Sequence, residues 1–313
     1  MLVLLLAACS GGGGDSTTGS SPSGTGPQAS GTQPQAPNTE PQASGTQALS
    51  SRTASPPSGA VEFAAAFPDL GQFRSNPDAV NGFSNDGTWW VEQKAPGRAV
   101  VVNVGRDDGS GLLLHTEGGD NDVSGSGTLE RNDVALPYTT DGVQGREQWW
   151  AHSILFPDDY AIPPLELPTS RAVVFDFHDT RNQGGQANFH VVVGPGGLLT
   201  FRGHGGPTVV TEDFGSQYSY GADIGPLQKN VWYDFVYHVK WSWNSDGFFQ
   251  AWVNGVLKLD HHGPTLYQDY GVYLKLANYH TAFGQSSSVI HDRVIRGTTW
   301  QVVSLTSLEG VYQ

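Results

Sequence analysis

The chain has 313 residues, a formal net charge of −14, 41 glycines, one methionine and one cysteine. An acidic balance of this size argues against a nucleic-acid-binding surface, and a single cysteine excludes an internal disulfide.

Leu2 to Ala8 is an apolar run ending in Leu6-Ala7-Ala8-Cys9. It is too short to span a bilayer, which takes about 20 apolar residues. Its length and small-residue end match the apolar region of a signal peptide, and the last four residues resemble the lipobox of bacterial lipoproteins. The resemblance implies a lipidated Cys9 and a place in the bacterial cell envelope, at the outer membrane, or secretion. No Lys or Arg precedes Leu2, so an upstream start is an open alternative. Residues 10 to 60 are mostly Gly, Ser, Thr, Pro, Gln and Ala with almost no large apolar side chains, and Pro-Gln-Ala-Ser-Gly-Thr-Gln occurs at Pro27 and again at Pro41. Such a segment cannot bury enough surface to offset its ordering entropy, and it is expected to be a disordered low-complexity tether. Its charges are Asp15, Glu40 and Arg52, so −13 of the net charge falls on residues 61–313, one domain's worth of sequence.

In that domain every strong signal is β. Arg171 to His178 alternates, with Val173, Phe175 and Phe177 expected on one face and Val174, Asp176 and His178 on the other. Phe189, Val191 and Val193 form a second inward set opposite Asn188 and His190. Val231 to Trp241 reads as a strand with Tyr233, Phe235, Tyr237, Val239 and Trp241 inward. Phe248 to Asp260 reads as a hairpin about Asn254-Gly255, a favoured type I′ turn pair. Tyr273 to Tyr279 places Tyr273, Lys275, Ala277 and Tyr279 on one face, with Leu274, Leu276 and Asn278 on the other. No stretch keeps a helical period over three turns. Many strands with one apolar and one polar-aromatic face predict an all-β fold of two packed sheets, a jelly roll of the concanavalin A-like kind, with a groove on an outer face.

Four segments offer polar groups for such a groove: Arg146, Gln148, Trp150 and His152; Asp176 and His178; Asn188 and His190; and Tyr273, Lys275 and Tyr279. Aromatic rings stack on sugar faces and cations bind carboxylates, so the set suits a chain of acidic sugars. The order Arg146-Glu147, then Phe177-His178, then Tyr273-x-Lys275-x-x-x-Tyr279 resembles the jelly-roll polysaccharide lyases. In the alginate lyases of this fold the motifs read Arg-x-Glu-Leu, Gln-x-His and Tyr-Phe-Lys-x-Gly-x-Tyr. The text around them is similar to the heparin lyase-like and glucuronan lyase-like group, through Val174 to His178, Trp232 to Trp241, Val253-Asn254-Gly255 and Asp292 to Gly297. The resemblance implies Tyr279 as proton donor and sometimes base. It implies His178 as assistant in proton abstraction, Arg146 as the cation that neutralises the uronate carboxylate, and Lys275 as a substrate-binding cation. Tyr273, Asp176, Gln148, Trp150, His190 and Asn188 complete the expected substrate contacts. Asp176 stands where the pattern has Gln, and Ala277 or Asn278 where it has Gly.

β-Elimination needs the carboxylate neutralised, a base for the proton beside it and an acid for the departing oxygen. It needs no cofactor. His204, His261 and His262 lack a ligand spacing such as H-E-x-x-H, so no metal site is expected, and no sequence feature signals a structural Ca²⁺. The expected partner is an acidic polysaccharide, met by a monomer that touches the membrane only through its lipid. Two rival readings remain. A glycoside hydrolase would need paired carboxylates flanking the bond, and no Glu-x-Asp-x-x-Glu occurs. A non-catalytic carbohydrate-binding module would use the same aromatic face without His178 and Tyr279 together. A serine hydrolase would need a Gly-x-Ser-x-Gly elbow, and none is present.

Overall fold

The computed structural model describes residues 59–65, 67, 81–83, 87–107, 109–120, 128–181, 185–210 and 219–304. Cys9, its apolar run and the tether as far as residue 58 lie outside the described residues. In chain order the strands are β1 (Val61–Ala65), β2 (Asn81–Phe83), β3 (Trp90–Gln93), β4 (Ala99–Val102), β5 (Gly111–Thr116), β6 (Leu129–Leu136), β7 (Glu147–Leu155) and β8 (Ala172–Asp179). They continue with β9 (Phe189–Val193), β10 (Leu198–Gly203), β11 (Tyr220–Pro226), β12 (Trp232–Lys240), β13 (Phe248–Val253), β14 (Val256–His262), β15 (Val272–Thr281) and β16 (Ser287–Gly297). One helical turn, α1 (Trp300–Val303), follows.

Two antiparallel sheets face each other, which is the jelly-roll sandwich. The first runs β14-β13-β12-β7-β16-β5-β4, with β1 also on β16; the second runs β11-β10-β9-β8-β15-β6-β3-β2. β15 is drawn from late in the chain into the middle of the second sheet, between β8 and β6. This insertion brings side chains from distant parts of the sequence onto one outer face.

Local chemistry accounts for the strands. Tyr233, Phe235, Tyr237 and Val239 of β12 point into the core, as their alternation requires. Asn254 and Gly255 join β13 to β14 with φ of 48° and 78°, the left-handed pair that a type I′ hairpin needs. The core is largely aromatic: Phe189 stacks on Phe249 at 4.0 Å, and Phe177 meets Trp241 edge-on at 5.0 Å. Removing one such ring would cost about 3–5 kcal/mol.

The structure corrects two inferred faces. Val174 is in the core beside Phe175 and Phe177, whereas Val173 lies on the outer face. The ladder slips between Val173 and Phe175 against β9, and between Leu276 and Tyr279 against β15. The resulting bulge turns two consecutive residues inward. The second correction concerns β7, which belongs to the first sheet. Its Gln148, Trp150 and His152 point between the sheets and not into a groove. Gln148 Oε1 accepts from Trp150 Nε1 at 3.0 Å and Trp241 Nε1 at 2.7 Å, and its Nε2 donates to the Thr140 and Asp141 carbonyls. His152 stacks on Phe175 at 4.1 Å and Phe235 at 4.9 Å. A buried Gln that satisfies two indole donors lets polar atoms sit in an aromatic core at little cost.

Candidate active site

The outer face of the second sheet carries a cleft of about 300 Å³ over its central strands, lined by residues of β6, β8, β9 and β15. β15 contributes Lys275, Ala277 and Tyr279; β8 contributes Val173, Asp176 and His178; β9 contributes His190; β6 contributes Arg131 and Asp133. Arg171 and residues 185–187 close its edge. A second depression of about 340 Å³ shares Asp133 and Lys275 with it and extends past Tyr273 to Trp90, Glu92 and Tyr138. The two depressions meet at Asp133 and Lys275.

Register explains the convergence. Lys275 pairs with Asp176, Tyr273 with His178, and Tyr279 with both Val173 and, across the other edge of β15, Arg131. Asp176 in turn pairs with His190. Side chains at paired positions point to the same side, so these groups share the outer face. Leu274, Leu276 and Asn278 point inward; Asn278 Nδ2 donates to the carbonyls of Ser287 at 2.8 Å and Leu114 at 3.1 Å.

The cleft is dense in charge. Lys275 Nζ is 2.7 Å from Asp133 Oδ2, and both side chains are almost fully buried. Burial works against the ammonium, but Asp133, with Asp176 and Tyr273, outweighs it and holds Lys275 above the ordinary lysine range. Arg131 pairs with Glu92 at 3.2 Å and lies 3.6 Å from Asp133. Its guanidinium carbon sits 4.0 Å from the centre of the Tyr279 ring, a close cation–π contact. Burial and the neighbouring Asp133 push the Glu92 carboxyl up.

His178 is oriented for proton work. Its Nδ1–H donates to the Asp179 carbonyl at 3.1 Å, so the neutral ring carries its lone pair on Nε2. The ring stacks on Tyr273 at 5.3 Å. Burial pushes the Tyr273 phenol above the ordinary tyrosine range, which suits a hydrogen-bond donor and not a base. Burial, and then His204, His178 and nearby arginines, keep His190 well below the ordinary histidine range and therefore neutral.

Of the residues singled out in the sequence, Tyr279, His178, Lys275, Asp176 and His190 meet in the cleft, and Tyr273 lines its extension. Arg146 does not join them. It precedes β7 in the first sheet and pairs with Asp141 at 3.1 Å and Glu62 at 3.8 Å. Gln148 and Trp150 are core residues. Asn188 is buried and donates to the His204 carbonyl, tying the start of β9 to the end of β10. The cation beside Tyr279 is Arg131, which lies outside every motif of the sequence. Glu130 and Asn132, its neighbours on β6, point inward although polar: Glu130 accepts from the Gly119 N–H and Asn132 donates to the Arg98 and His115 carbonyls. Strand β6 therefore shows no apolar alternation at that end. Among the described residues, no group of three His, Cys, Asp or Glu is placed to hold a metal ion.

A profile of the family described as polysaccharide lyase matches residues 81–295. The chain belongs to that family. This polysaccharide lyase is similar in structure to the endo-β-1,4-glucuronan lyase of the fungus Trichoderma reesei, with a TM-score of 0.55 and 16% identity, over 78% of this chain and 98% of that one. It also matches alginate lyase A1-II′, a member of polysaccharide lyase family 7, with a TM-score of 0.46 and 11% identity over 67% and 94% of the two chains. No curated protein matches. At 16% identity the glucuronan lyase match establishes the shared jelly-roll fold.

Proposed function

We propose that this polysaccharide lyase cleaves a uronate-containing polysaccharide by β-elimination, and that a carboxylate-only polymer such as alginate or glucuronan is preferred over heparin. The observation that carries the reading is the convergence of Tyr279, His178, Lys275 and Arg131 on one cleft. The glucuronan lyase with the same fold supports it. The preference against sulfated chains follows from the net charge of −13 on residues 61–313 and from the acids within the cleft itself.

In this reading His178 Nε2, with Tyr279, takes the proton from the carbon that bears the carboxylate. The electron pair forms a double bond to the neighbouring carbon, the bond from that carbon to the glycosidic oxygen breaks, and Tyr279 returns a proton to the leaving oxygen. One proton leaves the sugar and one is delivered, with no water consumed. Arg131 supplies positive charge beside the ring of Tyr279, which offsets charge developing there in the transition state. Lys275 and Tyr273 hold the uronate, and Trp90 and the exposed Tyr138 offer stacking faces in the extension. A lipid on Cys9 and a flexible tether would hold a monomeric enzyme at the bacterial envelope while its groove reaches polymer; Cys9→Ser would release it from membranes.

The test follows ultraviolet absorbance while the purified chain acts on alginate, glucuronan, heparin and hyaluronan. The expected result is a rise on a carboxylate-only polymer that is lost in Tyr279→Phe and reduced in His178→Ala. Retention of a polymer without any rise would replace this reading with simple binding.

A further inference from the structure

The cleft presents an electrostatic problem to any uronate. Its central strip sets Arg131 and Lys275 against Glu92, Asp133 and Asp176. Both cations are already committed on the β6 side, Lys275 to Asp133 at 2.7 Å and Arg131 to Glu92 at 3.2 Å. Asp176 stands on the opposite side of Lys275, at the register position between Lys275 and His190. Its side chain is nine-tenths buried, and its Oδ1 is buried with no hydrogen-bond partner. No ion pair within 4.0 Å reaches it among the described residues. If all three acids were ionised, the strip would repel an incoming carboxylate, and Asp176 would be a buried anion without a close counterion.

We propose that Asp176 acts as a neutral carboxylic acid that donates a hydrogen bond to the uronate carboxylate, so that a proton is held between the two when substrate binds. The inference rests on the uronate reading above. His178 shares β8 with Asp176; Lys275 and Tyr273 face it from β15; neutral His190 faces it from β9, with Arg202 paired beyond on β10; Asp133 and Arg131 lie past Lys275 on β6. Burial raises the carboxyl above the ordinary aspartate range, with Asp133 adding to it, while Lys275, His178 and Arg131 oppose. The substrate's own carboxylate acts in the raising direction, so binding and protonation reinforce one another. A neutral acid at this point supplies a donor and removes one negative charge from the strip, which answers both difficulties.

The test compares the full chain with Asp176→Asn and Asp176→Leu on whichever uronate polymer is eliminated, across pH, with folding checked by circular dichroism. Oligosaccharide binding to Tyr279→Phe is measured by calorimetry in buffers of different ionisation enthalpy. The wild-type sequence should lose kcat/KM by about tenfold per pH unit on the alkaline side, mainly through KM, and binding there should take up about one proton. Asp176→Asn, a permanent donor, should abolish that alkaline loss and the proton uptake. Asp176→Leu, which neither donates nor titrates, should raise KM on the acid side, where the wild type is a donor, and should show no further alkaline loss; an acid-side KM equal to that of the wild type would overturn the proposal. A folded Asp176→Asn that is inactive throughout, or that keeps the wild-type pH profile and proton uptake, overturns the proposal while leaving elimination standing. A wild-type chain that eliminates no uronate polymer overturns both.

Discussion

Lys275→Met isolates the buried charge pair at the centre of the cleft. The substitution keeps the length and most of the apolar stem but removes the ammonium 2.7 Å from Asp133 Oδ2. The Asp133 side chain is about 2% exposed, so water cannot take the place of the lost partner. Breaking a buried pair by removing one member typically costs about 3–5 kcal/mol. Arg131 Nε, 3.6 Å from Asp133, offers partial compensation, which places the expectation near 3 kcal/mol at the lower end of that range. For a domain of this size that is a fall in Tm of roughly 6–12 °C. The double variant Lys275→Met/Asp133→Asn removes the stranded charge as well and should recover most of the loss, while elimination stays abolished in both. Thermal unfolding of the wild type, both single variants and the double variant closes the cycle. A Lys275→Met protein that melts with the wild type, or a double variant no more stable than Lys275→Met, would refute the desolvated pair.

Further expectations follow from the same geometry. Arg146→Ala should leave kcat/KM within about twofold and stability within about 1 kcal/mol, because its pair with Asp141 is surface-exposed. Arg131→Gln should lower kcat by about 10²–10³, the scale of losing one transition-state donor. Stability should fall with acid. Burial lowers His204 to about 4 and His291 to about 3, and holds His152 and His190 well below the ordinary range. These rings contribute in full above about 6.5, and each loses roughly 1.4 kcal/mol per pH unit as pH falls below that toward its folded value. Asp292, raised by burial to about 6, and Asp176 and Glu92, which burial also raises, work in the opposite sense, and the four histidines outnumber them. A melting temperature that is flat between pH 6.5 and 4 would contradict this balance. Gly203→Ala should cost about 1–3 kcal/mol by overpacking, since its Cβ would meet the Tyr220 ring at 2.1 Å; calorimetric unfolding reads the loss.

What the sequence discloses depends on whether the inward face is apolar. Leu274 and Leu276 reveal the orientation of β15, so the alternation alone assigns Tyr273, Lys275 and Tyr279 to one face. The same rule fails for β7, where the inward residues are Gln148, Trp150 and His152 and the outer face carries Trp149 stacked on His238 at 3.8 Å. Both faces of that strand look polar-aromatic, and only the Gln148 hydrogen bonds to Trp150 and Trp241 show which is core. Arg131 is hidden for the same reason, behind the buried polar Glu130 and Asn132. The bulge that sends Val174 inward breaks a period of two that sequence alone would continue. Which cation serves Tyr279 depends on how distant strands pair, and β15 lies beside β6 through a long-range insertion that no local pattern encodes.

The most direct measurement is the mass and absorbance of the products released from glucuronan, alginate and heparin by the purified chain, with Tyr279→Phe as control. The account predicts unsaturated oligosaccharides, each lighter by one water than the hydrolysis product, from a carboxylate-only polymer and none from the control. Saturated products, unsaturated products only from heparin, or equal release by Tyr279→Phe would contradict it.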